Sequence, residues 1–223
     1  VTVTPTPTLD DGAGYDPDSK RWSILPPAPI AGRALHIGVW TGKEMLIWGG
    51  GGDDTDYTPM NDGAAYDPAT RQWRLLARSP LPTGPRYAGA WTGEQLVVVG
   101  ISGNDVHAAG YDPSADTWQL LDTAGIDLPA GIPALDVHWT GSRVVAVTTL
   151  PLGSGPTAAI FDPSTEEWWT SKPPGFGSRS AGTATLNGLV YLVSYSQFTD
   201  GTIALDPVVD SWSNRTSLGD LSC

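Results

Sequence analysis

The chain has 223 residues, with 12 basic and 24 acidic side chains and a formal charge of −12. That charge argues against nucleic acid and anionic membrane as partners, because phosphate affinity comes from Lys and Arg displacing counterions. Apolar runs such as Leu189–Val193 fall far short of the ~18 residues of a membrane helix. Twenty-seven Gly, 20 Pro and ten Trp describe a folded, loop-rich domain with large apolar groups for a core, and the single cysteine, Cys223, excludes an internal disulfide.

In chain order, the first recognisable unit is Tyr15-Asp16-Pro17 followed by Trp22. It returns as Tyr66-Asp67-Pro68 to Trp73, Tyr111-Asp112-Pro113 to Trp118, Phe161-Asp162-Pro163 to Trp168 and Leu205-Asp206-Pro207 to Trp212, so the tryptophans stand 51, 45, 50 and 44 residues apart. A second unit falls between them: Trp40-Thr41-Gly42, Trp91-Thr92-Gly93, Trp139-Thr140-Gly141 and a weakened Leu186-Asn187-Gly188. Each half-period reads as a β-hairpin. Asp accepts backbone N–H bonds and Pro presets φ in one turn, and Thr-Gly reverses the chain in the other. No stretch carries a sustained helical apolar period. Four short antiparallel strands per period are the signature of a β-propeller blade, with Trp73, Trp118 and Trp168 expected to be buried between blades.

These five in-phase units resemble the Kelch-repeat family of β-propellers over residues 11–215. The Trp-Thr-Gly form is similar to bacterial Kelch proteins likened to the central domain of galactose oxidase. Kelch units carry a Gly-Gly doublet after the second strand, and only Trp48-Gly49-Gly50 keeps it. The expected fold is all-β, with full blades at about 33–76, 86–121, 132–171 and 179–214 after a partial blade at 1–25. Laying Tyr15 on Tyr111 places Val1–Val3 inside a second strand. The chain therefore reads as one incomplete propeller domain, a portion of a ring of six or seven blades.

Strand alternation puts the first-to-second and third-to-fourth turns on one face, and the second-to-third and fourth-to-first loops on the other. The second face varies in length, and function grafts onto such loops. Arg33, Arg86 and Arg179 stand at the fourth-to-first loop exits. The resemblance implies that they can point into the channel mouth and hold carboxylates, which suits a bidentate guanidinium. The structural alternative is an arginine packed on Trp or paired with Asp. Asp53, Asp54, Asp56 and Asp62 form a candidate Ca²⁺ loop, without EF-hand register or a clear bidentate Glu, that reads more simply as a solvated acidic loop. Gly49–Gly52 reads as backbone room. His36, His107 and His138 fall at different phases of the repeat and do not make a metal triad. An oxidase's Tyr–Cys crosslink finds no cysteine but Cys223, and no nucleophile elbow is present, so no catalytic residue and no cofactor is assigned.

The leading reading is a non-catalytic binding scaffold for a protein or a small anionic or carbohydrate ligand. The other is part of a carbohydrate-active propeller enzyme, epimerase-like or oxidase-like, with decisive residues outside this chain. Bacterial relatives of this look are often extracellular or envelope proteins. Asn214-Arg215-Thr216 matches the glycosylation sequon.

Overall fold

The computed structural model describes residues 8–52, 58–84, 86–102, 105–128, 134–149, 156–173, 180–194 and 201–215. Among them every regular element is a β-strand. Strands β1 (Ala13–Asp16) and β2 (Arg21–Ile24) form a two-stranded sheet. Four four-stranded antiparallel meanders follow: β3 (Ile37–Trp40), β4 (Met45–Trp48), β5 (Gly63–Asp67) and β6 (Gln72–Leu75); β7 (Arg86–Trp91), β8 (Leu96–Ser102), β9 (Asp105–Asp112) and β10 (Thr117–Leu120); β11 (Ala134–Trp139), β12 (Val144–Thr149), β13 (Thr157–Asp162) and β14 (Glu167–Ser171); β15 (Ser180–Leu186), β16 (Leu189–Ser194), β17 (Gly201–Asp206) and β18 (Ser211–Arg215). These are four four-stranded blades of the β-propeller kind and a two-stranded sheet that precedes them. Val1–Val3, Asp53, Asp54, Asp56, Arg179 and Cys223 lie outside the described residues.

The seven-residue spacing has a direct cause. A four-residue turn after the Asp places the preceding aromatic opposite the Trp, giving the pairs Tyr15↔Trp22, Tyr66↔Trp73, Tyr111↔Trp118 and Phe161↔Trp168. Their rings meet at centroid separations of 4.8–5.1 Å in tilted geometry, the contact aromatic quadrupoles favour. Within each turn the Asp Oδ1 accepts the N–H two residues on, from Asp18, Ala69, Ser114, Ser164 and Val208. The last turn residue, Lys20, Arg71, Asp116, Glu166 or Asp210, takes φ between 49° and 58°. These acceptor bonds hold the carboxyls of Asp16, Asp67, Asp112 and Asp162 below the ordinary carboxylate value, Ser or Ala donors being the largest cause in each.

The sign of the resulting pH dependence follows. A carboxyl whose folded pKa is lowered contributes stability that is present above its unfolded value of about 3.9 and lost as pH falls through the folded value. The urea midpoint should therefore fall as pH drops from about 5 towards 2, and Asp162→Asn should flatten that fall. An acid profile identical to that of the parent protein would refute the assignment.

The blade core is made by the second and third strands. Val97, Val98, Val99, Val144, Ala159, Ile160 and Leu205 are fully buried, and the two faces of each sheet alternate into three interblade clusters. The expectation for the fourth-strand tryptophans holds for Trp168, which is buried, whereas Trp73 and Trp118 are half-buried. The fourth strand is the outer edge of its sheet, and its ring leans on the preceding blade instead of being enclosed. Trp73 Nε1 donates to Pro26 O and Trp118 Nε1 to Ala77 O, both at 2.9 Å, and Trp212 Nε1 donates to Ser171 Oγ at 2.7 Å. Each indole thus fastens two neighbouring sheets.

The first-to-second turns share a second device. Thr41 Oγ1 accepts from the N–H groups of Lys43 and Glu44 and donates to Glu44 O; Thr92 does the same with Glu94 and Gln95. Thr140 bonds Arg143 in both directions. The last blade departs from this pattern. Its Asn187 (φ 51°) and Gly188 (φ 80°) make a two-residue reversal, the conformation in which Asn-Gly is favoured, so no threonine is needed. Pairing then puts Thr185, not Leu186, at the position of Trp91: Trp91 pairs with Leu96 and Leu96 with Tyr111, as Thr185 pairs with Val190 and Val190 with Leu205.

Candidate functional site

The first strands of the blades, β3, β7, β11 and β15, lie nearest one another and line a cavity of about 570 Å³. Small residues at Gly38, Ala88, Gly89 and Gly182 leave the space open; His36, Tyr87, Asp136, His138 and Thr183 supply its larger side chains. Tyr87 is held across Gly100, where any β-carbon would strike its ring, with its hydroxyl donating to Pro82 O at 2.8 Å. Burial pushes that phenol well above its ordinary value, so it stays protonated.

Asp136 and His138 are two residues apart on β11 and share a face. Thr183 of the next blade joins them: its Oγ1 donates to Asp136 Oδ2 at 2.8 Å and lies 2.8 Å from His138 Nε2. A hydroxyl has one proton. With the hydroxyl hydrogen directed at the carboxylate, the His138 contact is an Nε2–H donating to the threonine oxygen. Burial lowers the His138 pKa, against the pull of Asp136, so the ring is neutral near pH 7. This trio is not a nucleophile with its base, since the imidazole donates to the hydroxyl instead of accepting its proton.

The residues singled out in the sequence are placed as follows. Arg33 is buried with its side chain 4% exposed. Its Nε donates to Ala31 O, and its NH1 to Gly49 O, Asp62 O and Asp62 Oδ1 at 2.9–3.1 Å. Gly49 and Asp62 are the two ends of the long β4–β5 connection, whose N–H and C=O also join each other at 3.0 Å, so Arg33 clamps the neck of that loop. Gly49 and Gly50 both take positive φ, 71° and 85°, and a β-carbon on Gly50 would meet Ala34 O at 2.5 Å. Gly50 is therefore close-approach backbone against Ala34 and His36, and both positions take the positive φ that favours glycine. Arg86 opens β7 with its side chain exposed. Asp62 is the one residue of the acidic-loop candidate within the described residues, and its side chain serves Arg33. His36 and His138 line one cavity while His107 lies on β9. Among the described residues no three His, Cys, Asp or Glu side chains gather as metal ligands would.

The Asp136–Thr183–His138 cluster was not singled out. Thr183 sits in a strand whose Trp-Thr-Gly marker is out of phase, and the pairing of β15 with its neighbours across blades is not a local property of the sequence.

No family profile matches the chain. A 116-residue segment is 29% identical to Kelch-like protein 25 of Xenopus tropicalis, covering 51% of this chain and 19% of that protein. The chain is thus similar to a Kelch-named protein over half its length, and the matched segment spans about a fifth of that relative. The likeness accords with the blades seen in the structure.

Proposed function

We propose that the chain is a non-catalytic Kelch-type propeller scaffold that presents the face of its β4–β5, β6–β7, β8–β9 and equivalent connections to a protein partner. The observation that carries this reading is the contrast between faces. The turns at 41–44, 92–95 and 140–143 repeat one hydrogen-bond plan built on Thr and those at 17–20, 68–71, 113–116 and 163–166 another built on Asp, while the opposite connections run from 103–104 to 49–62. A framework that fixes one end and varies the other is how binding loops are carried on rigid sheets. The likeness to a Kelch-like protein supports the same class. An anionic or carbohydrate ligand on this face belongs to the proposal through Arg86 and Arg179, which stand at the loop exits of two blades.

The experiment replaces residues 53–57 by a Gly-Ser segment of equal length and, separately, Glu94 by Ala on the opposite face. Proteins captured from cells by the parent chain should fall at least tenfold with the loop variant and persist with E94A, at unchanged melting temperature. A capture profile indifferent to the loop would overturn the reading.

A further inference from the structure

We propose that the axial cavity between β3, β7, β11 and β15 is a receptor for a cationic hydrogen-bond donor, an alkylammonium or guanidinium group, held by Asp136 and His138. This site is separate from the loop face.

Three observations lead there. The first is the break in interblade packing. Ile37 and Val39 of β3 and Tyr87 and Trp91 of β7 belong to one apolar cluster. Between β11 and β15 the meeting residues are Asp136, His138 and Thr183. An apolar set serves packing at lower desolvation cost, so the polar set calls for another explanation.

The second is the proton count. Thr183 gives its only proton to Asp136 Oδ2 and receives one from His138 Nε2. His138 Nδ1 is then a bare lone pair and Asp136 Oδ1 a second acceptor. Among the described residues the ion-paired carboxylates are Asp62, Glu44, Asp116, Asp162 and Asp127, and Asp136 is not one of them. The cluster thus offers acceptors and a negative charge to the cavity, with its donors turned inward.

The third is size and surroundings. About 570 Å³ accommodates an extended basic side chain. The total charge of −12 draws cations towards the molecule. Two protein ligands are too few for a dedicated metal site, which favours an organic cation.

The test titrates the ¹⁵N-labelled chain with n-butylammonium chloride and with 1-butanol, following the amides of Gly38, Gly89 and Thr183. Butylammonium should shift them saturably, with a Kd at least tenfold below that of butanol, and Asp136→Asn should raise it at least tenfold. Should that variant fail to fold, the butylammonium-to-butanol ratio on the parent chain decides by itself. A hairpin peptide with a single Lys at its tip that binds at least tenfold tighter than butylammonium, and loses this on lysine acetylation, identifies the source as a protein side chain; equal affinity identifies a free amine. Equal response to butylammonium and butanol overturns the proposal, as does Zn²⁺ shifting these amides where butylammonium does not. Neither probe requires the loops, so failure here leaves the scaffold reading standing, and failure of the loop variant leaves this one.

Discussion

Trp48→Ala is expected to cost about 3–5 kcal/mol in a urea unfolding experiment, the range for deleting a buried large aromatic. Trp48 is fully buried at the end of β4. It joins two blades, meeting Tyr87 edge-on and Trp118 at a tilt, with both centroids 5.2 Å away. Truncation therefore opens a cavity at an interblade seam, where two further rings lose a partner. Trp48→Phe should recover a large part of the loss, because the Trp48 indole Nε1 is buried without a hydrogen-bond partner and removing it relieves a desolvated donor. Trp22→Ala is the internal control: the same residue type in the same repeat position as Trp118, but 71% exposed, it should stay within about 0.5 kcal/mol of the parent. Equal losses for Trp48 and Trp22 would contradict the packing described.

The repeat made the architecture legible because each marker does one local job. Asp-Pro sets a turn, the turn sets the Tyr↔Trp pairing, and Thr of Trp-Thr-Gly closes the other reversal. Such local causes leave a fixed spacing in the sequence. What could not be read depends on which blade stands beside which. Trp48 appeared in the sequence only as a neighbour of the glycine doublet, and its burial comes from Tyr87 and Trp118, about 40 and 70 residues away. Thr183 was hidden by the change of turn chemistry at Asn187-Gly188, which shifts the last blade by one residue against its apparent motif. Arg33 was recognised as a notable position, yet sequence alone left two roles open for it. The structure supplies the acceptors of the structural one: two backbone carbonyls and the carboxylate at the ends of a single loop, and a third carbonyl at Ala31.

Arg33→Ala should accordingly lower stability by about 2–3 kcal/mol, because it removes several bonds from one charged donor and leaves Gly49 O buried without its partner. Arg33→Lys should recover less than half of that, since an ammonium lacks the planar fork that reaches Ala31, Gly49 and Asp62 together. Asp62→Asn should cost under about 1 kcal/mol, because its side chain is 60% exposed and water replaces the lost charge. The ordering separates the two roles. A clamp predicts that Arg33→Ala is the most damaging of the three and that melting temperature falls with it, while the affinity of the folded fraction for an anion such as a dicarboxylate stays as it was. An arginine that holds a ligand predicts the reverse, an unchanged melting temperature with calorimetric affinity lost. Since both quantities are read on the same sample, an unchanged melting temperature for Arg33→Ala would by itself remove the clamp.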